Sequence, residues 1–172
     1  MTGTVWRIVT QRFAASAFSG DGARLFGGRW NRKGESVVYA AQSRSLALLE
    51  MLVQDKPLRA HYLLIPAEIP DDIARLEIDY SQLPEDWRSH EGRWTLQEIG
   101  SQWLCAAKCC ILEVPSTVIP AERNLLLNPA HPDVAKIKIG QPETLESDLR
   151  LMRNLSDARK ERQISYSRPK RG

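Results

Sequence analysis

Residues 46–53 read LALLEMLV, seven apolar side chains around a single glutamate, Glu50. The wider run SRSLALLEMLVQ has helical spacing, with Ser43 or Ser45 placed as N-cap. At about 100° per residue, Leu46, Leu49 and Val53 share one stripe, and Glu50 falls at its edge between Leu46 and Ala47. Leu48, Met51 and Leu52 cover the other side. A helix that is apolar nearly all round is expected to be buried, and a carboxylate carried inside is expensive unless it is paired or used. Two structural readings are open: an ion pair with an arginine, or a helix end where Glu50 reaches water. The third is a carboxylate kept for chemistry.

The elements around this helix are mostly strands. VWRIV opens the chain as a short strand. SVVYAA follows, with Val37, Tyr39 and Ala41 on one face and Val38 and Ala40 on the other. AHYLLIPAEIP is a third strand, stopped by Pro66 or Pro70. The polar, turn-rich YSQLPEDWRSHEGRW is expected to be loop, and TLQEIGSQWLCAA a second amphipathic helix. KCCILEVPSTVIP reads as a strand ending at Pro115, NLLLNPAHPDV as a strand entering an Asn-Pro turn, and KIKIG as a last short strand. Residues 141–172 are expected to form a weak helix and a tail. Strands outnumber helices and do not alternate with them regularly, so the expected fold is α+β with a compact mixed β-sheet, not a doubly wound one.

The chain has 172 residues, enough for one domain with a real core. Charge divides it. Residues 150–172 carry eight Lys/Arg against two acids, while the remainder is mildly acidic. The expected organisation is a domain over 1–150 and a basic tail over 151–172. That tail is either a solvated, frayed terminus or short helix, or an arm for nucleic acid or a partner. No apolar run approaches the roughly 20 residues of a membrane span, and MTGTVWRIVTQRF lacks the apolar core of a signal peptide. The three cysteines, Cys105, Cys109 and Cys110, are an odd, crowded set that suits a reducing cytosol. They have no companion histidine or second Cys pair, so no metal is expected.

GDGARLFGGRW, residues 20–30, is rich in glycine and holds two arginines. A dinucleotide fingerprint would follow a strand and open a helix. This stretch precedes a strand, so its glycines are expected to supply positive φ or close backbone approach instead. Arg24 and Arg29 beside them suit a pyrophosphate, because a guanidinium fork pairs bidentately with phosphate oxygens. The plainer reading is two surface charges on a loop. Trp30 is expected in the core. Tyr39 is either a packing residue or a ring that stacks on a flat base. Ser116 lies at a strand end without the Gly-x-Ser-x-Gly elbow of a serine hydrolase. It is read as a polar contact to substrate or as a turn cap. Asn124 and Asn128 are read as turn or capping residues, and His131 as a structural loop histidine.

Taken together, GARLFGGRWNRKGESVVYAAQSRSLALLEMLV and VPSTVIPAERNLLLNPAHPD resemble the RES domain, a family named for its arginine, glutamate and serine. The ordered run of Gly-Gly-Arg-Trp-Asn, a later Gly, Val-Tyr-Ala and Leu-Ala-x-x-Glu carries the resemblance, which spans most of residues 5–140. It implies a fold like that of diphtheria-toxin-type ADP-ribosyltransferases. It implies a cytoplasmic bacterial toxin of a type II toxin–antitoxin pair that acts on NAD+ as substrate, by hydrolysis, by phosphorolysis, or by modifying a protein with ADP-ribose. The implied partner is an Xre-like helix-turn-helix antitoxin that blocks the pocket. DNA would be met only through that antitoxin, and no membrane is involved. Carried over by motif, the family's arginine falls on Arg29, its tyrosine on Tyr39, its glutamate on Glu50 and its serine on Ser116. Arg24 joins the same motif, and Arg7, on the opening strand, falls where related transferases hold a substrate arginine.

The resulting expectation is specific. Arg29 and Arg24 grip the pyrophosphate and Tyr39 stacks near nicotinamide. Glu50 hydrogen-bonds the ribose hydroxyl and stabilises positive charge at the anomeric carbon, and Ser116 orients a ribose or phosphate oxygen. An RNase, with the basic tail and His61, His90 and His131 as its footprint, is a reading of another class. So is a non-catalytic module in which Arg29 and Glu50 form a structural ion pair.

Overall fold

The computed structural model describes residues 3–54 and 61–146. Within them the longest ladder joins β1 (Gly3–Thr10) to β3 (Tyr62–Ile69), antiparallel and paired at every residue from Gly3↔Ile69 to Thr10↔Tyr62. On its other edge β1 meets β2 (Val38–Ala41) through the single register pair Trp6↔Ala41, and the two strands then part. β2 continues into β6 (Arg123–Leu127), β6 into β5 (Ile111–Pro115), and β5 into β4 (Arg75–Glu77). β7 (Lys138–Ile139) and β8 (Glu143–Thr144) add to the outer edge of β3. The order is β4-β5-β6-β2-β1-β3-β7, all antiparallel except β4 beside β5. A mixed sheet of an α+β domain is what the strand-rich sequence predicts.

Alternation along the strands gives the sheet two apolar faces. One gathers Val5, Val38, Ala40, Ala67, Ile69, Ile111, Leu125 and Leu127. The other carries both long helices. Under α3 (Arg93–Ala106) lie Leu112, Val114 and Leu126, packed with Leu96 and Trp103 and with Trp30, Val37 and Trp87. Under α2 (Arg44–Val53) lie Ala41 and Leu64, packed with Leu46 and Ala47. β2 and β6 run between the two helices, so Tyr39 and Asn124 face the space that separates them.

Several expectations change. Asp21–Phe26, expected as loop, is a short helix, α1, entered through Gly20 at φ 77° and left through Gly27 at φ 70°. Glycine is needed at both ends because that backbone region penalises a Cβ. Pro66 does not stop β3. Its carbonyl accepts from Gly140 on the β7 side, so its missing N–H faces that edge too and no rung to β1 is lost. Pro70 ends the strand instead. β8 lies where a weak helix is expected, and the segment from residue 147 on, with the basic tail, lies outside the described residues. α2 is capped by Ser43, whose side chain accepts from the Leu46 N–H, but it is buried on one side only. Leu49 and Val53 face outward because the covered arc runs from Leu46 through Ala47 and Met51 to Leu52, and Glu50 projects between Leu46 and Ala47 near the edge of that arc.

α3 sits so close to Trp30 that a Cβ at Gly100 would overlap the Trp30 carbonyl oxygen. Gly100→Ala must therefore push the helix off the segment that follows α1. It is expected to cost at least about 3 kcal/mol, read as a shift in the denaturant midpoint. Gly22→Ala in α1, where nothing lies within 4 Å, is expected to be neutral or stabilising by up to about 1 kcal/mol.

Candidate active site

Glu50 leaves α2 toward β5 and β6. Its Oε1 accepts the hydroxyl proton of Ser116 at 2.7 Å and an amide proton of Asn124 at 2.6 Å. Ser116 lies just past the end of β5 and is fully buried. Its Oγ also accepts from the Val118 and Ile119 N–H groups at 3.0 and 3.1 Å, which closes the turn after Pro115. The hydroxyl is thus spent on two tasks, capping the turn and holding the carboxylate. Glu50 Oε2 has no such partner among the described residues. The carboxylate is half-buried and held through one oxygen by neutral donors, with no protein partner on the other among the described residues.

Arg29 stands at the other end of this space. Its Nη1 donates to the carbonyls of Trp87, Arg88 and Ser89 at 3.5, 3.4 and 3.1 Å. Nε and Nη2 have no protein partner among the described residues and are not sealed from solvent. Burial lowers the Arg29 pKa, the neighbouring positive charge of Arg93 lowers it further, and the charge of Glu50 opposes both. Arg29 and Glu50 thus feel one another without forming an ion pair, which removes the structural-pair reading of these two residues. The 87–89 loop is itself tied to the Ser116 turn, because Arg88 Nε donates to the Thr117 carbonyl at 3.0 Å.

Tyr39 connects the sheet to the Arg29 segment. Its hydroxyl accepts from the Trp30 N–H at 3.0 Å and donates to Asn31 Oδ1 at 2.8 Å. Asn31 is fully buried, and its Nδ2 donates to the Ala23, Arg32 and Glu35 carbonyls. Gly28 has no room for a side chain, since a Cβ would overlap the Tyr39 hydroxyl. The close approach expected of these glycines is therefore to the protein's own tyrosine. Desolvation pushes the Tyr39 phenol well above its usual range. Arg7 lies where β1 and β2 part and donates to the Tyr39 carbonyl at 2.6 Å. Its Nε is buried without a partner, and burial lowers its pKa to about 10.

Of the residues singled out in the sequence, the structure joins Glu50 to Ser116, puts Arg29 within electrostatic reach of Glu50 and ties Tyr39 to the Arg29 segment, whereas Arg7, in register on the Val5 face of β1, reaches only the Tyr39 carbonyl. Arg24 does not join them: that side chain is exposed on α1 and ion-paired with Asp21 at 3.1 Å. Asn124, expected as a turn residue, is a mid-sheet donor to Glu50. Its signal was the alternation in RNLLL, which puts Asn124 and Leu126 on one face. Arg93 and Gln97, which reach the Gly28 carbonyl from α3, carry no sequence signal. His131 is structural as expected, its Nδ1 accepting from the Asp133 N–H. The three cysteines are free thiols, and burial raises the Cys110 pKa to about 11. No helix of the described residues is long and apolar enough to cross a membrane.

The fold belongs to a recognisable class: a mixed-sheet α+β domain of the ADP-ribosyltransferase-like type. The crystal structure of the M. tuberculosis MbcT–MbcA toxin–antitoxin complex contains the same fold, with a TM-score of 0.73 over 91% of this chain and 90% of that one at 21% identity. The RES domain matches residues 4–148. Toxin Res of Yersinia enterocolitica is 43% identical over 129 residues, 74% of this chain and 84% of that protein. The Prs ADP-ribosylating toxin of a Sphingobium species is 39% identical over 161 residues, 89% of this chain and 99% of that protein. The chain belongs to the RES domain family.

Tyr39→Phe strips a partner from the Trp30 N–H and from Asn31 and is expected to cost about 1–3 kcal/mol at pH 8. Because the folded state holds the phenol proton more tightly than the unfolded chain, that advantage is present below the unfolded value of about 10 and is lost as pH rises above it. The stability gap between wild type and variant is therefore expected to narrow in denaturant melts above pH 10.

Proposed function

We propose that the chain is the toxin of a toxin–antitoxin pair and cleaves the bond between nicotinamide and ribose in NAD+. The observation that carries this reading is the seat of Glu50: one carboxylate oxygen held by Ser116 and Asn124, the other unengaged, opposite an arginine with an unengaged edge. In this reading the substrate pyrophosphate takes the Nε–Nη2 edge of Arg29, whose Nη1 is already anchored. Arg7 would have to leave the Tyr39 carbonyl, and Arg24 to release Asp21, to join it. Glu50 Oε2 accepts from a hydroxyl of the nicotinamide ribose. Its charge stabilises the oxocarbenium-like centre that forms as the bonding pair leaves with nicotinamide. Tyr39 offers only its ring, since its hydroxyl is committed within the protein. Ser116 acts through Glu50, holding the carboxylate in line. Water or phosphate then adds to the anomeric carbon and loses a proton. This combination raises catalysis by preorganisation, because the donors that aim Glu50 are in place before substrate arrives.

A second reading is favoured by the name of the Sphingobium relative: transfer of ADP-ribose to a protein side chain through the same bond cleavage. The partner is proposed to be an antitoxin, as in the M. tuberculosis complex, of the Xre-like helix-turn-helix kind, seated over the pocket in the cytoplasm. 

Glu50→Gln keeps an oxygen for Ser116 and Asn124 but loses the charge. Nicotinamide release is expected to fall by about 10²–10³, with NAD+ still bound in a calorimetric titration. Wild-type turnover by Glu50→Gln would overturn the mechanism. Running the release assay with and without inorganic phosphate separates phosphorolysis from hydrolysis. Release that needs an added protein acceptor points to the second reading.

A further inference from the structure

The carbonyl oxygen of Gly28 collects three donors from one face of α3. Arg93 Nε and Nη2 donate to it at 3.1 and 3.0 Å, and Gln97 Nε2 at 2.9 Å; the same amide reaches the Asn31 carbonyl at 3.1 Å. Arg93 and Gln97 stand one helical turn apart, so a single face of α3 makes all four bonds. On its other side Gly28 is pressed against the Tyr39 hydroxyl and Asn31 Oδ1, with no space for a Cβ. The peptide before Arg29 is therefore gripped from two directions, and the Arg29 side chain starts from a fixed point.

No carboxylate among the described residues pairs with Arg93 or Arg29. A carboxylate on Arg93 would have anchored it just as well, but it would also have neutralised the field around Arg29. Backbone carbonyls anchor a guanidinium without cancelling its charge. We infer that Arg93, aided by Gln97, is a positioning residue for Arg29: it holds the Gly28 carbonyl so that the open edge of Arg29 meets an anionic group of the substrate. The inference rests on the function proposed above. Its effect belongs to binding of the diphosphate and not to the bond that breaks, which lies at Glu50.

The test is steady-state nicotinamide release from NAD+, with thermal melting alongside, for wild type, Arg29→Ala, Arg93→Ala, Arg93→Gln, Gln97→Ala and the Arg29→Ala/Arg93→Ala double variant. Arg93→Ala is expected to raise KM about tenfold with kcat within about twofold of wild type. Gln97→Ala, which changes no charge, is expected to raise KM in the same direction by less. Arg93→Gln, which can still donate to Gly28, is expected to recover most of the loss. The double variant is expected to be no worse than Arg29→Ala, because Arg93 acts through Arg29. An unchanged KM in both Arg93→Ala and Gln97→Ala overturns the inference. So do multiplying effects in the double variant, or an Arg93→Gln as impaired as Arg93→Ala, either of which marks Arg93 as a direct ligand. If Arg93→Ala does not fold, Gln97→Ala and Arg93→Gln decide the matter by the same criteria. If Arg29→Ala shows raised KM while the α3 variants do not, only this inference falls. If wild type releases no nicotinamide with or without an added protein acceptor, the proposed function falls and takes the inference with it.

Discussion

A carboxylate on the inner face of a helix has to be solvated by something, and here two strands solvate it. Ser116 at the end of β5 and Asn124 in β6 both donate to the same oxygen of Glu50. Hydrogen bonds to a charged acceptor are worth roughly 1.5–3 kcal/mol each, enough to offset much of the penalty of partial burial. The arrangement ties α2 to the β5–β6 half of the sheet, although α2 packs chiefly on β1, β2 and β3. It thereby bridges the place where β1 and β2 part company. Had the partner been an arginine, the charge would have been cancelled. Neutral donors hold the group and leave its field intact.

The same logic recurs among the cations. Arg29, Arg93 and Arg7 are all held by backbone carbonyls, and none is matched with a carboxylate among the described residues. Elsewhere the protein pairs its arginines ordinarily: Arg24 with Asp21, Arg44 with Glu143, Arg123 with Glu77. Arg29 and Arg93 thus lie within electrostatic reach of one another with no carboxylate paired to either among the described residues. Arg29, its pKa lowered by burial and by the neighbouring charge of Arg93, sits at an electrostatic cost that a bound anion would offset. The loop of residues 87–89 couples the two ends, because it meets Arg29 through its carbonyls and the Ser116 turn through Arg88.

Much of the fold was legible in local pattern. Six of the strands follow from alternation, α2 and α3 from helical spacing, and the end of β5 from Pro115. Those signals are local, and tertiary contacts had no reason to override them. β4 is three exposed residues and β8 two, too short to show a period. α1 was hidden because its six residues lie between glycines that argue for a loop. Within the site, Glu50 announced itself as a charge in an apolar helix, and Arg29, Tyr39 and Ser116 through an ordered motif. Asn124 was misread because asparagine is more often a turn residue. Arg93 and Gln97 could not be read at all: an arginine and a glutamine on a helix face look like solvated surface until the neighbouring loop is in place.

By itself, then, the amino-acid sequence determined the class of fold, the helix that carries Glu50 and the short set of polar residues around which a site could form. These are one-dimensional facts of period, composition and motif. Only the tertiary structure decided what each residue does. Ser116 and Asn124 lie 66 and 74 residues from Glu50 along the chain, and they converge on one oxygen because β5 and β6 pass beneath the inner face of α2. Arg24 and Arg29 share a motif but not an environment, since a helix end and a change of backbone sign at Gly27 send them to different neighbours. Hydrogen-bond partners are chosen by distance in space, and no local pattern encodes which distant strand will supply them.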